Sequence, residues 1–84
     1  MDVKNIKADI VHDVTGTFCP VPLVELTAKM KQMEIGQIIE LIADDPGSIE
    51  DVPAWCKSTG QEFLGMFEED GEYHFFVKKV REMK

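Results

Sequence analysis

The sequence predicts an α/β (α+β) two-layer sandwich, in which one four-stranded mixed sheet carries two helices on one face. Three observations lead to this fold class: four strand-like segments, two amphipathic helical segments, and their order along the chain, β-α-β-α-β-β. Because β-α-β crossovers are right-handed, crossovers in the same direction place both helices on the same side. The 84 residues fit one domain, residues 1–84, with a thin core. We therefore expect a carrier, a binding module or a very small enzyme, without a cofactor.

The first half of the chain predicts a strand, a helix and a second strand. Residues 6–14 alternate between apolar and polar side chains, as a half-buried strand does. Residues 20–34 have helical spacing, with Pro20 in the first turn and Gly36 after the end. Residues 37–43 are apolar on both sides, which predicts a central strand. The predicted buried face of the helix consists of Leu23, Leu26, Thr27, Met30 and Met33.

A turn at residues 44–47 precedes the second helix, which extends to Thr59 before Gly60. Ser48 and Asp51 resemble a capping pair. Pro53 indicates that the regular part of the helix begins near Asp51. The predicted apolar face consists of Ile49, Val52, Cys56 and Thr59.

Two more strands are predicted at residues 62–68 and 72–80. Asp70 and Gly71 between them are the residue types that a two-residue hairpin turn requires. The basic residues that follow are expected to form a solvated strand end: Lys78, Lys79 and Arg81.

The net charge limits the classes of partner that the chain can bind, and its apolar segments indicate its compartment. Nine Lys and Arg residues against sixteen Asp and Glu residues leave a formal net charge of −7. Such a surface repels phosphate backbones, so we expect no direct nucleic-acid binding. The charge serves either solubility or association with a basic partner. No segment approaches the roughly 20 apolar residues of a membrane span, and the first ten residues lack the apolar core of a signal peptide, so we expect a cytoplasmic protein without membrane contact.

The candidate metal ligands apart from carboxylates are two cysteines and two histidines: Cys19, Cys56, His12 and His74. Neither a CxxC nor an HxxxH spacing occurs, so we expect no metal site. Two cysteines are also too few for the disulfide framework of a small secreted domain. We expect both to be free thiols in a reducing compartment.

Cys19 is the candidate nucleophile. It lies between a turn at Gly16 and the start of the first helix, in a Cys-Pro-x-Pro sequence that Pro20 and Pro22 complete. If Cys19 is the N-cap, the helix dipole and the free N–H of Val21 lower the pKa of its thiol. The two prolines stiffen the approach to the sulfur. A buried structural cysteine is the alternative.

Four segments, residues 12–22, 43–47, 51–56 and 59–64, together resemble the SirA/TusA-like family of small sulfur-carrier proteins. The resemblance implies the same β-α-β-α-β-β fold. It implies that Cys19 carries sulfur as a persulfide, received from a cysteine desulfurase or a rhodanese and passed to a DsrE-like or other acceptor protein. It also implies service in thiolation of tRNA, in molybdenum-cofactor maturation or in sulfur oxidation. Such a protein is a co-substrate more than a turnover catalyst.

Two positions depart from the pattern of this family. Thr15 stands where the family often has Arg, and Phe18 where it often has a polar or basic residue. Both changes remove positive charge near Cys19. We expect Phe18 to anchor in the core rather than to contact a partner.

Two other functions stay open on the sequence. Cys19 and Cys56 are the thiols available to a redox pair, although we expect Cys56, on the apolar face of its helix, to be buried in the core. Alternatively, the Cys-Pro-x-Pro sequence only shapes the entry to a helix, in a regulatory binding module without sulfur transfer.

Overall fold

The computed structural model describes residues 5–83. Residues 1–4, part of the segment in which we expected no signal peptide, and Lys84 lie outside that range. Within it, neither helix is long and apolar enough to cross a membrane. The elements are β1 (Ile10–Asp13), α1 (Val21–Gln32), β2 (Ile38–Ala43), α2 (Ser48–Thr59), β3 (Glu62–Glu69) and β4 (Glu72–Lys78).

The four strands form one mixed sheet in the order β1-β2-β4-β3. β1 pairs with β2 in parallel, whereas β4 lies antiparallel to both β2 and β3. The register pairs Asp13 with Ile42, and Ala43 with Tyr73. The carboxyl ends of β1 and β2 therefore lie at the same end of the sheet as the β3–β4 turn. The predicted element order and the mixed sheet are confirmed.

The core lies between one face of the sheet and both helices. The predicted spacing is confirmed for Leu26 and Met30 of α1 and for Met33 directly after it, since all three are buried. On α2, Val52 and Cys56 are buried as predicted, but Ile49 is 40% exposed. The sheet and the loop after β1 complete the core with Val14, Ile39, Leu41, Ala43, Phe75 and Val77.

The start of α2 differs from the prediction. The helix begins at Ser48 with Gly47 as its N-cap, and no side chain caps it. Backbone carbonyls satisfy the first amides instead, because Ser48 N donates to Asp45 O at 2.9 Å and Ile49 N donates to Pro46 O at 3.1 Å. The predicted capping pair is therefore wrong. Pro53 lies inside the helix.

The turn between β3 and β4 confirms the hairpin prediction. Asp70 and Gly71 have φ angles of 53° and 81°, and two successive positive φ angles are typical of the type I′ turn that matches strand twist. A register shift between Phe63 and Gly65 marks a β-bulge in β3.

The basic segment after β4 is not a fully solvated strand end. Lys79 is only 1% exposed, and its Nζ donates to the backbone oxygen of Met33 at 2.6 Å, just beyond α1. The cause is strand alternation: Lys79 falls on the same face as Phe75 and Val77. Its backbone N also continues the pairing, donating to Gln37 O at 2.9 Å. The Lys79 side chain is therefore part of the core and packs below the C-terminus of α1.

Replacing Lys79 with alanine removes the donor to the Met33 carbonyl and opens a cavity. We expect the free energy of unfolding to fall by about 2–4 kcal/mol. Lys57→Ala, an exposed lysine, is the control and should change it by about 0.5 kcal/mol or less. Denaturant unfolding measures both variants, and equal losses would contradict the structural role of Lys79.

Candidate functional site

Cys19 is an exposed free thiol in the loop between β1 and α1. Two hydrogen bonds attach this loop to the one after β2. Gly16 N donates to Asp44 Oδ1 at 3.0 Å, and Cys19 N donates to Asp45 Oδ2 at 2.9 Å. The thiol therefore lies at the end of the sheet where β1 and β2 terminate and the Asp70 turn lies. We call this the thiol end, and the opposite end of the sheet the far end.

Local hydrogen bonds give the β1–α1 loop its shape. Thr15 N donates to Asp13 Oδ1 at 2.9 Å, and the hydroxyl of Thr17 donates to Val14 O at 2.6 Å. Gly16 has a φ of 83°, a conformation that glycine adopts without steric cost. These contacts end β1 sharply and direct the chain toward α1.

The two prolines lie on either side of the first helical residue. Pro20 is the exposed N-cap of α1, and the Cys19–Pro20 peptide bond is cis. Pro22 is buried within the first turn, where an N–H would have no helical acceptor. The backbone next to the thiol therefore has little rotational freedom.

The expected activation of Cys19 by the helix dipole is wrong. Cys19 is not the N-cap, and the N–H of Val21 is not free, since it donates to Phe18 O at 2.8 Å. A hydrogen bond with the Asp51 side chain raises the pKa of the Cys19 thiol, and desolvation and the negative charges of Asp51 and Asp45 raise it further. These surroundings therefore disfavour the thiolate form of Cys19.

Asp45 and Asp51 are the residues next to Cys19 that the sequence did not identify as part of the site. In the sequence, a turn pattern accounts for Asp45 and a capping pattern for Asp51. Their positions 26 and 32 residues after Cys19 carry no sign that they approach it. Only the parallel pairing of β1 with β2, which brings the two following loops together, provides that signal.

Phe18 is 76% exposed, so the expectation of a core anchor is wrong. The buried residues of this segment are Val14 and Pro22, on either side of Phe18 in the chain, and residues 18–21 between them are all exposed. Phe18 projects into solvent directly before the thiol.

Cys56 is 2% exposed in the core, as predicted. Burial raises the pKa of its thiol to about 12. Cys56 therefore has almost no thiolate at neutral pH, and it is separated from solvent whereas Cys19 is open to it.

The two histidines pair with carboxylates on different faces of the sheet. His12 Nε2 lies 2.9 Å from Glu25 Oε1 of α1, and His74 Nδ1 lies 2.6 Å from Glu40 Oε2 on the face without helices. Within residues 5–83, no three His, Cys, Asp or Glu side chains are grouped as metal ligands.

Residues 10–79 match the sequence model of the family described as sulfurtransferase TusA. The chain belongs to this family. A putative sulfur carrier protein of Archaeoglobus fulgidus is 35% identical over 72 residues, which cover 86% of this chain and 99% of that protein. The sulfur carrier protein TusA of Allochromatium vinosum is 40% identical over 67 residues, or 80% of this chain and 88% of its own length.

The fold of this TusA family member also occurs in a solved structure. The SirA-like protein of Desulfitobacterium hafniense superposes with a TM-score of 0.75 at 19% identity, covering 86% of this chain and 99% of that one. Some relatives are longer, and the chain spans only 40% and 41% of two of them, from Bacillus subtilis and Aquifex aeolicus.

Removing the carboxylate of Asp51 should make Cys19 more reactive. Asp51→Asn eliminates the negative charge that disfavours the thiolate, so the pKa of Cys19 falls and alkylation at neutral pH becomes about three- to tenfold faster. The measurement is the rate of iodoacetamide alkylation between neutral and alkaline pH. Glu50→Gln, which removes an exposed neighbouring carboxylate, is the control. An unchanged or upward-shifted alkylation profile in Asp51→Asn would contradict the assigned contact.

Proposed function

We propose that this protein is a sulfur carrier that receives sulfane sulfur as a persulfide on Cys19 and passes it to an acceptor protein. The observation that supports this most directly is the exposed Cys19 thiol in the Cys-Pro-x-Pro loop of a TusA family chain. A carrier must present one sulfur atom to two different proteins in turn. An exposed sulfur at the tip of a stiff loop meets that requirement, and a pocket would not.

The transfer conserves atoms and electrons without a cofactor. Cys19 sulfur attacks the terminal sulfur of a donor persulfide, forming a new S–S bond while the S–S bond of the donor breaks. The leaving donor sulfur takes up a proton and the Cys19 thiol loses one, so a donor persulfide and a Cys19 thiol become a donor thiol and a Cys19 persulfide. Transfer to the acceptor repeats the exchange with Cys19 as the donor.

The surrounding residues have positioning roles in this proposal. Gly16 allows the turn that ends β1, and Pro20 and Pro22 limit the movement of the thiol. Asp45 accepts a hydrogen bond from the backbone N–H of Cys19 and so fixes the position of this residue. Asp51, in hydrogen-bonding contact with the thiol, disfavours the thiolate of the empty carrier, and the protonated thiol is the form that resists oxidation.

The partners and the pathway follow from the family resemblance. The donor is a cysteine desulfurase or a rhodanese, and the acceptor is a DsrE-like or comparable protein. The sulfur then enters tRNA thiolation, cofactor biosynthesis or sulfur metabolism. Both cysteines are free thiols, and the cytoplasm, which keeps thiols reduced, is the proposed compartment.

Intact-protein mass spectrometry tests the carrier role. The protein is incubated with cysteine and a cysteine desulfurase, and separately with thiosulfate and a rhodanese. Wild type and Cys56→Ala should gain one sulfur atom that a reductant removes, and Cys19→Ser should gain none. Circular dichroism confirms that each variant is folded.

Two results would contradict the proposal. One is no gain of sulfur with either donor, and the other is equal loading of Cys56. Reversible formation of a Cys19–Cys56 disulfide, with no gain of sulfur, would instead favour the redox alternative.

A further inference from the structure

Positive charge is confined to the far end of the described molecule. Neither residues 8–28 nor residues 32–56 contain Lys or Arg, and these two segments include both loops at the thiol end. The basic residues within 5–83 precede β1, occupy the last turns of the two helices, or lie at and beyond the end of β4. They are Lys7, Lys29, Lys31, Lys57, Lys78, Lys79 and Arg81.

Negative charge accumulates at the thiol end. The end of β1, the loop after β2 and the first turn of α2 contribute carboxylates around Cys19, and the β3–β4 hairpin adds more at the same end of the sheet. These residues are Asp13, Asp44, Asp45, Glu50, Asp51, Glu68, Glu69, Asp70 and Glu72. The charges are therefore distributed unevenly along the strands, with carboxylates at the thiol end and basic residues at the far end. A charge that served only solubility would not need this separation.

Exposed apolar side chains lie among these carboxylates. Phe18 is 76% exposed beside the thiol, Val21 in the first turn of α1 is 42% exposed, and Ile49 in the first turn of α2 is 40% exposed. Burial of an exposed phenylalanine against a partner stabilises the complex, and aromatic side chains are frequent anchors at interfaces.

We propose that the thiol end is a docking surface for a sulfur-transfer partner whose reactive cysteine lies in an apolar recess rimmed by Lys and Arg, and that Phe18 enters this recess. This inference rests on the proposed carrier function and specifies the chemistry of the partner. The acidic rim attracts and orients the basic partner, and Phe18 holds the two sulfur atoms in reach of each other.

Docking of such a partner also changes the state of the thiol. Asp45 and Asp51 oppose ionisation of Cys19 in the free protein. Lysine and arginine side chains brought close to them offset that negative charge and favour the thiolate. The Cys19 thiol is then a stronger nucleophile in the complex than in the free protein, where it reacts more slowly.

The experiment uses synthetic donor peptides of defined charge. Each carries one cysteine persulfide flanked by leucine, with arginine in one peptide and glutamate in the other. A small uncharged alkyl persulfide serves as a donor that needs no docking. Rapid quenching followed by intact mass gives the rate at which Cys19 gains sulfur, at about 20 mM and about 500 mM salt, where screening of surface charge is weak and strong.

The docking surface predicts that the arginine peptide transfers sulfur about tenfold faster than the glutamate peptide at low salt. High salt should remove most of that difference. The uncharged persulfide should load Cys19 at a rate that salt changes little.

Two matched pairs of variants test whether the carboxylates at the thiol end cause the preference for the arginine peptide. Glu50→Gln with Glu68→Gln removes two exposed carboxylates at the thiol end, and Glu34→Gln with Glu62→Gln removes two at the far end. Both pairs change the net charge equally. Only the first pair should reduce the rate with the arginine peptide and weaken its dependence on salt.

A second comparison isolates Phe18. Phe18→Ser should slow transfer from the leucine-containing peptides about three- to tenfold, including at high salt, because the lost contact is apolar. Ile35→Ser is the control, since Ile35 is 58% exposed just before Gly36 at the far end. It should leave the rate unchanged.

The outcomes separate the two proposals. If the uncharged persulfide does not load Cys19, the carrier function itself is wrong. If it does, but both peptides react equally or both carboxylate pairs behave alike, the docking surface is overturned and the carrier function stands. Salt-sensitive oligomers in sedimentation would show that the acidic end binds the far end of a second copy, which would also overturn the proposed partner.

Discussion

The hydrogen bonds that Asp44 and Asp45 accept from the β1–α1 loop are the contacts on which the site depends. They attach the backbone of Gly16 and Cys19 to the loop that follows β2. The parallel pairing of β1 with β2 brings the two loops together, and the carboxylates fix their relative position. Asp45, which accepts the bond from the Cys19 amide, also adds to the negative charge that raises the pKa of the thiol, although the main cause of that shift is Asp51.

A carrier has to expose its reactive thiol and yet protect that thiol from side reactions such as oxidation. Exposure of Cys19 meets the first requirement, and Asp51, which raises the pKa of the thiol, meets the second. The second cysteine of the chain, Cys56, is protected differently, by burial among apolar side chains. One thiol is therefore accessible to a partner protein and the other is packed in the core, which disfavours a redox pair.

Local sequence patterns predicted what local structure decides. Alternation and helical spacing indicated the six elements, and Asp70 with its following glycine indicated the hairpin, because each signal depends on neighbours in the chain. The residues that were wrongly predicted depend on distant contacts. Lys79 is buried because it continues a strand below α1, and Phe18 is exposed in a loop whose nearest buried residues are Val14 and Pro22. The raised pKa of Cys19 likewise comes from a residue 32 positions later.

The central claim is that Cys19 gives sulfur away as well as accepting it. The most direct test is to load the purified protein with radiolabelled sulfur, remove the donor, and add a DsrE-like acceptor protein. The account predicts that the label leaves Cys19 and appears on the acceptor as a reductant-labile persulfide, within a single turnover and without free sulfide. Label that stays on Cys19, or that is released only as sulfide, would contradict it.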